Sequence, residues 1–240
     1  MLTKLRLVFL ATVTLYCLQI QTVKAIDLSK KAKLKIMSYN IHHCNPPSEG
    51  TKIDVEAIAA VINKEKPDFV ALQEVDVNTV RSGKGKNQAA QLAQLTGMKY
   101  FFAKAIDHGG GDYGVAVLSR FPIIDSVKYI LPIDSIIGGE VRTIAAITAE
   151  VAKGKKVVVA STHLDLKAEN RKTQSQLIVK HFGNIPHPMI LAGDFNAKPD
   201  SPVIGYLDQH FTRSCITDCQ PTIPVENPDR AIDFVMFKPA

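Results

Sequence analysis

The sequence predicts an α/β protein whose sheets are antiparallel or mixed and covered by helices. Strand-like and helix-like segments intermix along the whole chain, and one segment pair carries a hairpin signal. The 240 residues are 46% hydrophobic and 22% charged, with no repeat period and no low-complexity tract, which suits one domain with a single sizeable core.

Residues 34–39 (LKIMSY) alternate apolar and polar, as a half-buried strand does. Val55, Ile58, Ala59 and Ile62 recur at helical spacing, with Asp54 placed to cap the helix and Pro67 to stop the chain beyond it. Phe69–Leu72 is a short buried strand leading into Gln73-Glu74, and Asn87–Thr96 is a helix ended by Gly97. Gly114–Leu118 is an apolar strand. Val141–Val151 and Val157–Ser161 flank Lys153-Gly154-Lys155-Lys156 as a hairpin. Ala168–Phe182 is a helix closed by Gly183, Met189–Ala192 is a strand, and Ile232–Phe237 is the last one.

The first 25 residues stand apart. Lys4 and Arg6 precede an apolar run from Leu7 to Leu18, and Val23-Lys24-Ala25 offers a small-residue cleavage site, the layout of a secretory signal peptide. The run is short for a membrane span, and Tyr16 argues against lipid attachment at Cys17. The expected mature domain is therefore 26–240, secreted or periplasmic, touching membrane only through the removed segment. Loss of three cations lowers the net charge from +6 to +3, a weak hint of an anionic partner and no demand for DNA. Export permits disulfides: Cys215 and Cys219 could close a small ring or stay free, and Cys44 is left over.

Several strands end in groups capable of chemistry: Asn40, Glu74, His163, Asp194 with Asn196 close behind, and Asp233. Singly, each has a plain explanation as a turn former, a solvated strand end or a core histidine. Together they suit phosphoester hydrolysis. Carboxylates hold a hard cation such as Mg²⁺, a histidine exchanges protons near neutral pH, and amides or an arginine hold phosphate oxygens.

The segments SYNIHH, ALQEVD, YGVAVLSRFPI, VRTIAAI, STHLD, AGDFNAKP and AIDFV occur in an order that resembles the endonuclease/exonuclease/phosphatase superfamily, over about Leu34 to Phe237. That family includes deoxyribonucleases, abasic-site endonucleases, sphingomyelinases and inositol-polyphosphate phosphatases. The resemblance implies a four-layer αββα sandwich of two mainly antiparallel sheets with the site at one end. It implies Glu74 as principal ligand of Mg²⁺ (or Mn²⁺) with Asn40 beside it. His163 would be a general acid or an electrostatic stabiliser. Asp194 would orient or deprotonate water, or help hold a second metal. Asn196 would bind a phosphate oxygen, Arg142 would sit near the phosphate, Tyr113 would form the substrate wall and Asp233 would orient a second histidine. The substrate would be a phosphoester: nucleic acid, phospholipid or phosphorylated small molecule. No stable protein partner is implied.

One part of the family pattern is missing. A Ser-Asp-His stretch and a final strand are expected after Ile232-Asp233, yet only Phe234 to Ala240 follow. The domain is therefore expected to be C-terminally incomplete, with an apolar edge on its last strand and weakened activity. The competing reading is a catalytically impaired binding module on the same scaffold. Three smaller features read blandly. His42-His43-Cys44 suits a soft metal poorly, since neighbours on an extended segment point to opposite sides. Gly109-Gly110-Gly111 reads as a mobile turn before Tyr113. Arg81, Lys84 and Lys86 read as a solvated basic loop.

Overall fold

A computed structural model describes residues 33–240; the expected signal peptide, its cleavage site and Cys17 lie outside the described residues. Leu34–Ala240 form one compact unit. Its first sheet contains β1 (Ile36–Asn40), β2 (Phe69–Val77), β3 (Lys99–His108) and β4 (Gly111–Ser119), in the order β1-β2-β4-β3. The second contains β5 (Ile123–Leu131), β6 (Arg142–Ala152), β7 (Lys155–His163), β8 (Met189–Asp194), β9 (Thr212–Arg213) and β10 (Asp233–Lys238), in the order β5-β6-β7-β8-β10-β9. β1–β2 and β7–β8 are parallel, and the other pairs are antiparallel.

The strands are apolar on both faces because both faces are covered. Phe69, Val117, Ile147, Val159 and Ile190 meet between the sheets. Val70, Leu72 and Leu118 point the other way, beneath Ile58 and Ile62 of α1 (Val55–Glu65) and Leu92 of α2 (Gln88–Thr96). Ala160 and Leu191 pack outward under Ile178 and Phe182 of α3 (Ala168–Phe182) and Ile204 of α4 (Pro202–Leu207). The result is the expected αββα sandwich. Its helices begin where the sequence places them: the side chains of Asp54 and Asn87 accept hydrogen bonds from Ala57 N and Ala90 N at 2.8 and 3.0 Å.

Three readings change and one open alternative is resolved. β2 is nine residues long and runs through Gln73 and Glu74 instead of stopping at Leu72. The triglycine is the tight β3–β4 hairpin turn: a side chain on Gly111 would collide with the Val77 carbonyl and the backbone of Asn78 and Thr79. The outer edge of β10, expected to be bare, is paired in part by β9, through Met236 with Arg213 and Phe237 with Thr212. Cys215 and Cys219 are joined as a disulfide, with their Cα atoms 5.3 Å apart.

The parallel β7–β8 contact is close. Gly193 lies opposite Thr162, and a Cβ on Gly193 would strike the Thr162 carbonyl oxygen. Gly193→Ala is expected to cost about 1–3 kcal/mol of stability through overpacking. Urea denaturation should show a lower midpoint with an unchanged slope; an unchanged midpoint would mean that the strands part freely there.

Candidate active site

Glu74 owes its position to a bulge. The β2–β4 register shifts between Leu72 and Val75, and Glu74 takes a left-handed φ of 57°. The residue is therefore not a solvated strand end. The bulge brings its carboxylate to the end of β1, where Asn40 Nδ2 donates to Glu74 Oε1 at 2.8 Å. The same Nδ2 lies 3.2 Å from Asp194 Oδ2, on the other sheet. One amide thus faces two carboxylates, one from each sheet.

The second sheet presents a row. His163 is the register partner of Asp194 across β7–β8, and Asp194 is the partner of Asp233 across β8–β10. His163 Nε2 is 3.7 Å from Asp194 Oδ2. This is not a formal ion pair, because burial first, and the Arg142 charge second, hold the His163 pKa well below its usual range and keep the ring neutral. Arg142 Nη1 lies 3.4 Å from His163 Nδ1. Arginine only donates, so Nδ1 accepts and the ring proton belongs on Nε2, the nitrogen facing Asp194. Burial and the neighbouring Asp233 carboxylate push the Asp194 pKa up to about 7. Asp233 is also raised by burial, and its carboxylate is hydrogen-bonded by Thr222.

The remaining predicted residues join this cluster. Asn196 N donates to Asp194 Oδ1 at 2.9 Å, and Asn196 Nδ2 donates to Leu164 O at 2.9 Å, leaving one amide hydrogen for another acceptor. Tyr113 is half-buried and shares a side-chain hydrogen bond with Arg142; burial raises its phenol pKa. Arg142 is itself buried, with Nη1 2.6 Å from Glu140 Oε1.

Of the supporting residues, Gln73, Asp76, Ser161 and Asp165 lie inside the segments quoted above, whereas Thr79, Ser82, Glu140 and Asn170 lie outside them. Gln73 Nε2 donates to Ser161 Oγ at 3.0 Å, and Ser161 Oγ donates to Leu72 O at 2.9 Å, a fully buried polar link between the sheets. Buried Asp165 accepts Asn170 Nδ2 at 2.6 Å and the Glu140 backbone N–H at 3.3 Å, drawing in the loop that carries Glu140 to Arg142. Asp76 receives Thr79 Oγ1, Ser82 Oγ and two nitrogens of Arg81, the latter at 2.7 and 2.9 Å. Arg81 is paired to Asp76 while still exposed, with Cζ 5.5 Å from the centre of the Tyr113 ring; Lys84 and Lys86 are exposed as well, as expected. Cys44 is fully buried in the core, which pushes its thiol up to about 12, and it does not join the donor atoms of His42, His43 and Glu74.

The donor set fits a hard divalent cation: carboxylate oxygens of Glu74 and Asp194 converge from the two sheets on the Asn40 amide. Glu74 and Asp194 would hold it, with Asn40 joining through Oδ1, which here accepts from His42 N at 3.1 Å.

The Endonuclease/Exonuclease/phosphatase family model matches residues 37–240. Among solved structures, an endonuclease/exonuclease/phosphatase from Beutenbergia cavernae is 27% identical with a TM-score of 0.69; the match covers 86% of this chain and 64% of that one, so the chain spans just under two thirds of that relative's length. A mannosyl-6-phosphatase from Bacteroides thetaiotaomicron is 16% identical at a TM-score of 0.67, covering 87% of this chain and 86% of that one. The human Nocturnin catalytic domain with bound sulfate is 19% identical at 0.63, covering 85% and 82%. These last two likenesses are of fold alone. Among curated proteins no sequence matches the chain.

The carboxyl pair has a consequence for stability. A carboxyl whose pKa is higher in the folded state binds more protons folded than unfolded, so stability falls as pH rises from the unfolded pKa near about 4 towards the folded value. For Asp194 that upper limit is about 7. In chelator, the slope from this residue should reach at most about 1.4 kcal/mol per pH unit. Added Mg²⁺ should flatten it, as should Asp194→Asn. Urea titrations from pH 4 to 8 check this, and a slope in chelator that Asp194→Asn leaves unchanged would show that the Asp194 carboxyl is not raised in the folded state.

Proposed function

The chain belongs to the endonuclease/exonuclease/phosphatase family, and from that premise we propose that it is an exported, divalent-metal-dependent phosphodiesterase acting on nucleic acid or on phospholipid headgroups. The observation that carries the reading is the convergence of Glu74 and Asp194, from opposite sheets, on Asn40 beside a buried Arg142–His163 pair. Mg²⁺ or Mn²⁺ held by Glu74, Asn40 and Asp194 would neutralise phosphate charge and polarise the P–O bonds.

The chain's own groups divide the remaining work. Asp194, whose proton affinity is raised by burial and by Asp233, would orient the attacking water, or take its proton where the carboxylate is not given to the metal. Neutral His163 donates from Nε2 to a phosphoryl oxygen, so it acts as an electrostatic stabiliser rather than as a cationic acid. Arg142 and the free amide hydrogen of Asn196 hold other phosphate oxygens, and Tyr113 walls the substrate. The disulfide Cys215–Cys219 supports export, since such bonds persist in oxidising compartments. Mature protein beginning at Ile26 in the medium or periplasm, read by mass spectrometry, is the matching test.

A panel of plasmid DNA, RNA, sphingomyelin, phosphoinositides and chromogenic mono- and diesters, with Mg²⁺ and Mn²⁺, tests the activity. Preferred turnover of diesters is expected. Metal binding with no turnover of any member would assign a binding module instead. His163→Ala should lower kcat by about 10²–10³ with metal affinity nearly intact; survival within a few-fold would make His163 structural. Glu74→Gln should weaken Mg²⁺ binding markedly while the fold persists, and an unchanged affinity by calorimetry would remove Glu74 from the ligand set.

A further inference from the structure

His42 and His43 follow Ile41 directly, and the mechanism leaves both unused. They do not lie on extended chain. Ile41 leads into a 3-10 turn, and His42, His43 and Cys44 take left-handed φ values of 45°, 45° and 58°. The turn brings the two imidazoles together, with ring centres 4.3 Å apart, instead of sending them to opposite sides. Donor atoms of His42, His43 and Glu74 lie within 4.8 Å of one another.

The surroundings prepare these rings as ligands. His42 Nδ1 is 3.2 Å from the Asn45 carbonyl oxygen, which can only accept, so Nδ1 carries the proton and Nε2 keeps its lone pair. That is the outer hydrogen bond which orients a metal-bound histidine. His43 is anchored from behind: buried Gln88 donates to His43 O at 2.6 Å and accepts from Asp76 N at 2.9 Å. His43 Nδ1 is buried and has no partner among the described residues. Glu74 gives one oxygen to Asn40, and a carboxylate has a second to offer.

We propose that His42, His43 and Glu74 form a second cation site, selective for a borderline transition metal of the zinc or cobalt class over magnesium. Imidazole nitrogens favour such ions, whereas magnesium favours oxygen. Three protein ligands leave a fourth position for water or a substrate oxygen. The carboxylate of Glu74 bridges this site to the Asn40–Glu74–Asp194 cluster. The proposal does not depend on the phosphodiesterase reading, because two of its three ligands lie outside that cluster.

The test is a Co²⁺ titration of the purified protein in excess Mg²⁺, read by visible ligand-field absorption, with Mg²⁺ affinity measured separately by calorimetry. The wild type should bind one Co²⁺ that Mg²⁺ does not displace. His42→Ala, at an exposed position, and His43→Gln should each weaken Co²⁺ by more than the about 10–100-fold typical of losing an outer hydrogen-bond partner. Both should leave Mg²⁺ affinity within about threefold. Asp194→Asn, which touches neither histidine, should do the reverse, so failure of one site is distinguishable from failure of the other. Wild-type affinity for Co²⁺ in both histidine variants, or complete displacement of Co²⁺ by Mg²⁺, would overturn the proposal.

Discussion

The site exists because two sheets are held in one alignment at one end of the sandwich, and the contact between Gln73 and Ser161 is central to that alignment. The interface around it is apolar: Phe69, Val117, Ile147 and Val159 would tolerate small sliding motions, since dispersion contacts are non-directional. The Gln73–Ser161–Leu72 link is directional and fully buried, so a slip would leave polar groups without partners, at about 1–3 kcal/mol each. Gln73 also immediately precedes the bulge. The same two residues therefore fix the sheets and aim Glu74, and Asn40 then finds carboxylates from both sides.

With that alignment set, the electrostatics follow from register. His163, Asp194 and Asp233 are successive partners across three strands, so two acids are forced together in a buried place. The fold answers with backbone and side-chain donors on Asp194, from Asn196 and Asn40, and with the Thr222 hydroxyl on Asp233. These are too few to ionise both acids comfortably, and Asp194 stays near neutrality in its proton affinity. The arrangement costs stability and leaves two buried carboxyls that a cation would relieve. Arg142 completes the balance on the other side: its charge helps to keep His163 neutral, while Glu140, held by the Asp165 loop, offsets that charge.

Much of this was legible in the chain because the relevant rules are local. Asp54 and Asn87 announce caps, Gly97 and Gly183 announce stops, and the doubly apolar strands announce covered sheets. The end points of β1, β7, β8 and β10 put Asn40, His163, Asp194 and Asp233 in one list before any geometry was known. The bulge was not legible. Nothing in Phe-Val-Ala-Leu-Gln-Glu-Val-Asp-Val says that the strand continues through a left-handed glutamate, because the register shift is set by β4, far along the chain. Asp76 and Asp165 close the ALQEVD and STHLD segments, where nothing local assigns them a task. Their importance lies in what they receive, from Arg81, Thr79 and Ser82 in one case and from Asn170 and Glu140 in the other.

The His42-His43 turn shows the same limit from the opposite direction. The alternation rule for extended chain is sound, and it fails here only because three consecutive residues without glycine's freedom sit at positive φ. Such a stretch costs of order 1 kcal/mol or more per residue and persists only if its surroundings over-determine it. They do: Cys44 is sunk in the core under α1, Gln88 clamps the His43 carbonyl, and Asn45 donates to the carbonyls of Gly50 and Lys52 at 2.8 and 2.9 Å. A loop whose only task was to connect β1 to α1 would need none of these restraints. Strain held this firmly, and directed so that two imidazoles face the bulged glutamate, is better explained by what the rings bind than by what the turn connects.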